Sequence, residues 1–457
     1  MLIARFHRES GNNEEGIVVD ANAPRGLDPL EAQTVRRVTW RLMPLLMLCF
    51  FCSTLDRGNA GMAAPTMIPD LGFSSAVFGF GAGLFAVGYC LAEMPSTFCL
   101  TFFGPRRWIA RILLTWGIIS ALTAFVWNDW SFYIIRLLLG LAEGGFYPGA
   151  VLYMLWWFPS YYRTRMMAWY MAAGVIMLMI GPPISGLLLY LDGVFGLHGW
   201  QWLFLLEGLP AVIMAVVIWQ LLTDRPADAT WLRPDEKAWL IERQASERAQ
   251  REAIHKYSLA EVFYNPKVWL LTLVVVGQNM TSYTMAFFLP TIVKGLGVST
   301  GMIGLVTALP YPFALAAMLF WGWHSDITGE RAWHVAGAFL LTAVGMAACI
   351  VVGAGHPVIT MVALILGVMG QQSTILTFWA IPTALLTGSA AAGGIAMINA
   401  LGALGGWLGP WVFGLVKDAT GSNNIALACL ALAPVASALL IIIVGHDRRM
   451  ERIPRRA

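Results

Sequence analysis

Charged residues are scarce in this sequence, and their scarcity argues against a water-soluble protein. Asp, Glu, Lys and Arg make up 12% of the 457 residues, about half the share in a soluble globular protein, whereas 58% of the residues are hydrophobic. The mean hydropathy is +0.67. The composition therefore predicts a membrane protein, and the net charge of +3 gives no indication of a nucleic-acid partner.

Motifs for metal, disulfide and nucleotide chemistry are also missing. The six cysteines lie in apolar stretches, and none forms a CxxC pair or a cluster with His, so we predict neither disulfides nor a metal site. There is no GxxxxGK[ST] phosphate loop and no HExxH zinc motif. We therefore expect a protein that is not an enzyme, that needs no cofactor, and that draws energy from an ion gradient, most simply a proton gradient.

Apolar segments of about 20 residues or more follow one another from residue 41, and each is long enough to cross a bilayer as a helix. The pattern predicts an all-α membrane protein with twelve spanning helices, near residues 41–65, 77–103, 108–127, 132–157, 166–190, 200–222, 266–293, 300–323, 333–353, 358–382, 388–415 and 424–445.

These spans predict five regions along the chain. They are a disordered tail (1–40), a six-helix bundle (41–222), a polar linker (223–265), a second six-helix bundle (266–445) and a basic tail (446–457). No apolar core precedes Arg36, so a cleaved signal peptide is not expected. Within the linker, Pro234 precedes two acids and the apolar stripe of Trp239, Leu240 and Ile241. This pattern predicts either an amphipathic helix on the membrane surface or a partly ordered connection.

The distribution of basic residues predicts the orientation in the membrane. All but four of the 29 Lys and Arg residues fall on one side of the predicted spans; the exceptions are Lys294, Lys417, Arg57 and Arg136. Because cytoplasmic loops are enriched in Lys and Arg, both termini and the linker are expected in the cytoplasm of a bacterium, with the spans in its inner membrane.

The two bundles repeat each other. Gly104-Pro-Arg-Arg-Trp after the second span matches Gly329-Glu-Arg-Ala-Trp after the eighth, and the Gly-Pro pair at Gly181 in the fifth matches that at Gly409 in the eleventh. The offsets of 225 and 228 residues agree. Parallel repeats of this kind are typical of transporters whose solute site lies between the halves at mid-membrane.

Ionisable residues at membrane depth are few and confined to the first bundle. A charge there costs at least about 2.5–3.5 kcal/mol, so each is a candidate functional residue. The six are Asp56, Arg57, Glu93, Arg136, Glu143 and Glu207. The second bundle offers only neutral polar groups at depth, namely Gln278, Asn279, Gln371, Gln372, Ser373, Thr374 and Asn399.

Depth along the helices suggests how the charges pair. Asp56 and Arg136 come to the same level, which predicts an ion pair between them. Arg57 is then left near Glu143, in a cavity where an anion could balance its charge, because guanidinium binds carboxylate through two hydrogen bonds. Glu143 lies among glycines, where burial suits either a proton carrier or an acid that only bonds a neighbouring helix.

Two other acids are expected to have structural roles. Glu93 precedes Pro95 and Glu207 precedes Pro210, so each could accept from backbone donors that a helix irregularity frees. Among the aromatic residues, Tyr89 and Tyr283 lie at the depth of the expected cavity.

Several motifs together resemble one transporter family. They are Leu55-Asp-Arg-Gly-Asn-Ala-Gly61, Gly88-Tyr-Cys-Leu-Ala-Glu-Met-Pro-Ser96, Phe103-Gly-Pro-Arg-Arg-Trp-Ile-Ala-Arg111, Arg136-Leu-Leu-Leu-Gly-Leu-Ala-Glu-Gly-Gly-Phe-Tyr-Pro-Gly149 and Asp224-Arg-Pro-Ala-Asp-Ala-Thr-Trp-Leu. The sequence resembles the anion:cation symporter family of the major facilitator superfamily, which includes bacterial permeases for galactonate, glucarate, tartrate, phthalate and hydroxyphenylacetate.

The resemblance implies roles for individual residues. Arg57 would bind the substrate carboxylate, Asp56 and Glu143 would handle protons, and Arg136 would partner Asp56. Other residues would line the site or act in the gating loops. The lining residues are Tyr89, Tyr283, Gln371, Gln372, Ser373 and Asn399, and the loop residues are Arg106, Arg107, Asp326 and Arg331.

Two functions remain open from the sequence. The first is proton-coupled uptake of a small organic anion, such as an aromatic carboxylate, a sugar acid or a dicarboxylate, by a monomer in the bilayer. The second is efflux by an antiporter of the same fold, since the fifth span keeps part of the antiporter pattern in Gly181, Pro182 and Gly186. A nutrient sensor is disfavoured because the tails and linker are short.

Overall fold

The computed structural model describes residues 29–252, 263–352, 355–385 and 388–445, and within these ranges the chain is helical without β-strands. We number its α-helices α1 to α17 in chain order. The first eight are α1 Pro29–Leu71, α2 Ser75–Phe103, α3 Pro105–Leu122, α4 Asp129–Glu143, α5 Phe146–Trp157, α6 Ser160–Leu188, α7 Gly199–Leu221 and α8 Pro234–Glu252. The others are α9 Pro266–Gly295, α10 Ile303–Ala308, α11 Pro310–Thr328, α12 Ala332–Val352, α13 Pro357–Phe378, α14 Ala380–Leu385, α15 Gly388–Gly402, α16 Gly405–Thr420 and α17 Asn423–Val444.

The twelve predicted spans are confirmed as helices, several of them broken into two pieces. In the described ranges, ten helical segments are long and apolar enough to cross a membrane. The other two predicted spans, 266–293 and 388–415, are helical as α9 and as the pair α15 and α16. Spans one to six form the N-terminal half and spans seven to twelve the C-terminal half. We call the end of the molecule where α8 packs the linker face, and the opposite end the far face.

One helix break determines the position of Glu143. Helix α4 ends at Glu143, and Gly145, the residue before α5, has φ of 89°, a left-handed conformation that favours glycine. A Cβ added to Gly145 would overlap Ser96 Oγ on α2. The break therefore lets α2 lie directly against the α4–α5 junction, and it seals the carboxylate of Glu143 inside the N-terminal half.

The two halves share an apolar core only towards the far face. Phe78 of α2 packs edge-on against Phe288 of α9, with ring centroids 5.7 Å apart, and Phe288 in turn packs on Phe413 of α16 at 4.5 Å. Towards the linker face the buried apolar residues form two separate clusters, one from each half. The halves are thus joined at the far face and divided towards the linker face.

Polar contacts reinforce the junction at the far face. Asp418 of α16 accepts hydrogen bonds from the backbone N–H groups of Ser75 (2.9 Å) and Ala76 (2.7 Å), which are unpaired donors at the start of α2. Lys294 of α9 donates to the carbonyl oxygen of Pro65 in α1 at 2.7 Å. Each contact joins a helix of one half to a helix of the other.

The expected disordered tail is wrong for residues 29–40, because α1 begins at Pro29. Its first turns are held by packing and charge: Val35 and Val38 are buried, and Arg37 forms an ion pair with Glu236 of α8 at 2.7 Å. The remaining predictions for the tails and for the end of the linker concern residues 1–28, 253–262 and 446–457, which lie outside the described residues.

The linker helix is confirmed as α8, and part of its apolar stripe packs on the N-terminal half. Leu240 is buried in the apolar cluster of the N-terminal half, while Ile241 is 42% exposed. Glu247 near its end accepts from the backbone N–H of Ser160 at 2.9 Å and from Arg163 at 2.9 Å. Helix α8 is therefore part of the N-terminal half, clamped to α1 and α6 by charged groups.

Removing the buried acid of this clamp should destabilise the N-terminal half. Glu236 has a fully buried side chain and accepts from Arg37 and from the backbone N–H of Arg233. Glu236→Ala leaves both donors without this acceptor, and we expect a loss of about 1.5–3 kcal/mol. Thermal unfolding of the purified protein in detergent measures it as a lower melting temperature. The control is Asp235→Ala, at a neighbour whose side chain is 54% exposed, and equal melting temperatures for the two variants would contradict the clamp.

Candidate functional site

An ion pair between Arg57 of α1 and Glu143 of α4 lies at the centre of the site. Arg57 Nε and Nη2 each lie 2.8 Å from Glu143 Oε1, and Ser53, one turn earlier on α1, donates to the same oxygen at 2.7 Å. The Glu143 side chain is fully buried, whereas the Arg57 side chain is 32% exposed. The predicted proximity of these two residues is confirmed. The Arg57 side chain is therefore partly accessible, whereas the carboxylate of Glu143 is enclosed.

Aromatic side chains surround the guanidinium of Arg57. Its Cζ lies 5.0 Å from the ring centroid of Tyr89 and 5.7 Å from that of Phe85, both on α2. Cation–π contacts of this kind stabilise a desolvated positive charge. Tyr283 of α9 approaches from the other half and packs beside Phe287, with ring centroids 6.0 Å apart. Aromatic side chains of both halves therefore lie around the positive charge.

Asp56 is enclosed by neutral donors. Its carboxylate accepts from Trp116 Nε1 of α3 at 2.8 Å, from Asn59 Nδ2 at 2.8 Å, and from the hydroxyl of Ser120. The Asp56 side chain is 1% exposed, and its partners are also buried. Sequence reasoning missed this set, although Asn59 follows Asp56 by three residues and so shares its helix face. Asp56 is satisfied as an acceptor without an ion pair.

The predicted pair of Asp56 and Arg136 is wrong in its geometry. No hydrogen bond or ion pair within 4.0 Å joins these two described residues; instead Arg136 donates to the carbonyl oxygen of Ala82 at 3.3 Å. Its guanidinium packs over Phe85 at 5.3 Å and Phe287 at 5.8 Å, and its Nε and Nη1 are buried without a hydrogen-bond partner. Equal depth on two helices does not determine where the side chains point. The carboxylate of Asp56 accepts from Trp116 and Ser120 and not from Arg136.

The polar cluster of the tenth predicted span divides between different faces of α13. Gln371 Nε2 donates to Ser282 Oγ of α9 at 3.0 Å, and Gln372 is partly exposed. The expectation for Ser373 is wrong: its side chain is fully buried and its hydroxyl donates to the carbonyl oxygen of Met369 at 2.7 Å. Successive helical residues differ by about 100° in direction, so three neighbours cannot all line one cavity.

Glu93, for which the sequence suggested a structural role beside Pro95, lies at the interface between the two halves. Its side chain is partly exposed, and Oε1 accepts from Asn399 Nδ2 of α15 at 3.3 Å. This contact crosses between the halves, as does the one from Cys90 Sγ to the carbonyl oxygen of Ala400 at 3.2 Å. Asn399 is exposed, as expected for a residue that lines the site.

Glu207 is placed where it joins two helices of the N-terminal half. Its Oε1 accepts from Ser185 of α6 at 2.5 Å rather than from the backbone donors that the sequence suggested, and the side chain is 2% exposed. Oε2 is buried without a hydrogen-bond partner. Glu207 therefore links α7 to α6 through a hydrogen bond between two side chains.

The loop residues lie on the linker face, away from the cavity. Arg106 donates to the carbonyl oxygen of Trp219, and its backbone N–H is bound by Asp224 at 2.8 Å. Arg107 is exposed, and in the matching loop Arg331 pairs with Asp326 at 2.6 Å. The described residues contain no group of three or more His, Cys, Asp and Glu side chains that could hold a metal ion.

Proteins of similar sequence are membrane transporters. The family model of the Major Facilitator Superfamily matches residues 46–410. A proposed tartrate transporter of Agrobacterium vitis is 44% identical, with 95% of this chain and 94% of the relative covered. A quinolone resistance transporter of Acinetobacter baumannii is 36% identical, with 91% of this chain and 95% of the transporter covered.

Solved structures agree on the fold. The crystal structure of a D-xylose-proton symporter superposes with a TM-score of 0.71 at 14% identity, covering 91% of this chain and 99% of that one. The chain is a multi-pass membrane transport protein rather than an enzyme. From its sequence match, its relatives and its helices, this chain belongs to the major facilitator superfamily.

Proposed function

We propose that this protein takes up a small organic anion together with protons. The observation that carries the proposal is the Arg57–Glu143 pair, in which the cation is open to the cavity and the acid is sealed behind it. Arg57 is the partly exposed member of the two membrane-depth cations, since Arg136 is buried. A guanidinium in that position binds a carboxylate through two hydrogen bonds. The naming of relatives as tartrate transporters supports hydroxy acids as the substrate class.

The same geometry suggests how protons are coupled to the anion. Glu143 and a substrate carboxylate would compete for the donors of Arg57. When Glu143 takes up a proton, its hold on Arg57 weakens and the guanidinium becomes available to the substrate. Release of the anion restores the ion pair as the proton leaves. Proton uptake and anion binding thus favour each other, which is the linkage that a symporter needs.

The arrangement of the two halves supports alternating access. The bias of Lys and Arg predicts that the linker face lies in the cytoplasm, and on that prediction the separated linker-face clusters correspond to a conformation open to the cytoplasm. Opening to the other side then requires the shared core and the bonds of Asp418 and Lys294 at the far face to separate.

Efflux by an antiporter is the second candidate. It is favoured by the likeness to the quinolone resistance transporter and by the partial pattern at Gly181 and Gly186. A pH gradient across liposomes separates the two functions. A symporter accumulates the anion on the side that protons enter, whereas an antiporter moves its substrate against the proton flow.

Replacing the exposed cation should remove anion binding. Arg57→Lys keeps the charge but loses the planar fork that Nε and Nη2 provide, so we expect affinity for tartrate to fall at least about tenfold. Equilibrium binding to the purified protein measures it. The matched control is Arg165→Lys, on α6 beside Trp169 and outside the cavity, which should bind as the wild type does. Preference of the wild type for amines over acids would rule out the anion site.

Neutralising the sealed acid should separate binding from coupling. Glu143→Gln no longer holds Arg57 as an ion pair, so we expect tartrate binding and counterflow between preloaded vesicles to persist, while accumulation driven by a pH gradient is lost. Both assays are run in the same liposomes. If Glu143→Gln concentrates substrate as well as the wild type, Asp56 becomes the coupling acid.

The far-face bonds should set the balance between conformations. Asp418→Ala leaves the N–H groups of Ser75 and Ala76 without their acceptor, and we expect more molecules with an open far face. Spin labels at Phe195 and Thr420, one on each half, report this as a longer distance population. Asp192→Ala, an exposed acid within the N-terminal half, is the control and should leave the distances unchanged.

A further inference from the structure

A second carboxylate, Glu93, shares the cavity with Arg57, and the coupling described above makes no use of it. Glu93 is one helical turn after Tyr89 on α2, so the two side chains lie on the same face with Cβ atoms about 5–6 Å apart. The ring of Tyr89 lies under the guanidinium of Arg57. Arg57, Tyr89 and Glu93 therefore form a row that runs from mid-membrane towards the linker face.

Glu93, at the end of this row nearest the linker face, makes only a weak hydrogen bond to Asn399. The hydrogen bond from Asn399 Nδ2 to Glu93 Oε1 is 3.3 Å long, beyond the usual range for a charged acceptor, and Asn399 is exposed. The two groups come from different halves. A pair of this kind, with one acceptor and one donor facing the same space, matches the two hydrogen-bonding functions of an alcohol.

We propose that Glu93 and Asn399 recognise a hydroxyl group of the substrate while Arg57 holds its carboxylate, which makes Glu93 a specificity-determining residue for hydroxy acids. The hydroxyl donates to Glu93 and accepts from Asn399, and so replaces the long direct bond by two shorter ones. The length of the row fits a chain of a few carbon atoms. The inference rests on the proposed function, because it needs an anion at Arg57.

The acceptor oxygens of Glu93 explain why a hydroxyl fits better than a second carboxylate at this position. A hydroxyl can donate a hydrogen bond to a carboxylate, whereas an ionised carboxylate offers acceptors alone. Acids that lack the hydroxyl leave Glu93 and Asn399 without the bridge, so they lose affinity without losing the contact at Arg57. A hydroxyl that touches both halves also favours the approach of α15 to α2.

The test measures how the affinity changes when hydroxyl groups are removed from the ligand, and whether this change depends on Glu93 and Asn399. L-tartrate, L-malate and succinate have the same two carboxylates and differ in carrying two, one and no hydroxyl groups, so repulsion between carboxylates is common to all three. Binding of each is measured to the wild type, Glu93→Ala, Asn399→Ala and Cys90→Ala. We expect the wild type to prefer tartrate over succinate by about tenfold or more, as for a hydrogen bond to a charged group.

In Glu93→Ala this preference should fall close to one, with succinate affinity changed by less than about twofold. Asn399→Ala tests the same bridge from the other half and should also reduce the preference. Cys90→Ala loses the neighbouring contact to Ala400 without removing a carboxylate, and it should keep the wild-type preference.

Other outcomes are decisive in different ways. Equal weakening of all three acids in Glu93→Ala, or a tartrate preference that survives in both variants, overturns the role of Glu93 while leaving the anion site at Arg57 in place. A wild type that binds all three equally overturns it as well. If the wild type binds none of the acids, the proposed function itself fails.

Discussion

The burial of one negative charge governs the arrangement of the site. Glu143 is sealed inside the N-terminal half, where an uncompensated carboxylate would be strongly destabilising, and Arg57 and Ser53 bind one of its oxygens. The break after Glu143 and the glycine at position 145 let α2 close over it. Arg57 is held by this carboxylate on one side and contacts the ring of Tyr89 on another. A binding group is thus oriented before any solute arrives.

The distribution of apolar packing explains how such a site can be reached from one side at a time. A single core crosses between the halves at the far face, whereas each half has its own core towards the linker face. Separating the halves at the linker face therefore exposes little that was packed together, and the internal structure of each half is preserved. Helix α8 follows the same division, since Arg37 and Arg163 bind it to the N-terminal half.

The sequence predicted the helices, the two halves and the closeness of Arg57 and Glu143, because these follow from hydrophobic length, internal repetition and the rise of a helix. It failed where the direction of a side chain decided the contact. Asp56 and Arg136 are at one depth but bind Trp116, Ser120 and Ala82 instead of each other. Ser373 turns away from its neighbours for the same reason, and Glu93 reaches a partner 306 residues later in the chain.

The confinement of charge to one half has a consequence for the transport cycle. Arg57 and Arg136 are the two cations among the described membrane-depth residues, and the four acids at that depth, Asp56, Glu93, Glu143 and Glu207, belong to the same half. Gln371, Ser282 and Asn399 of the opposite half contribute only dipoles. When the halves move, the balance of charge therefore depends on groups that move together as one unit. Each substrate carboxylate that enters with a proton leaves the net charge of the site unchanged, whereas one that enters without a proton adds a negative charge to a low-dielectric site. In the proposed mechanism the two halves therefore close around the site most readily when both the proton and the anion are bound.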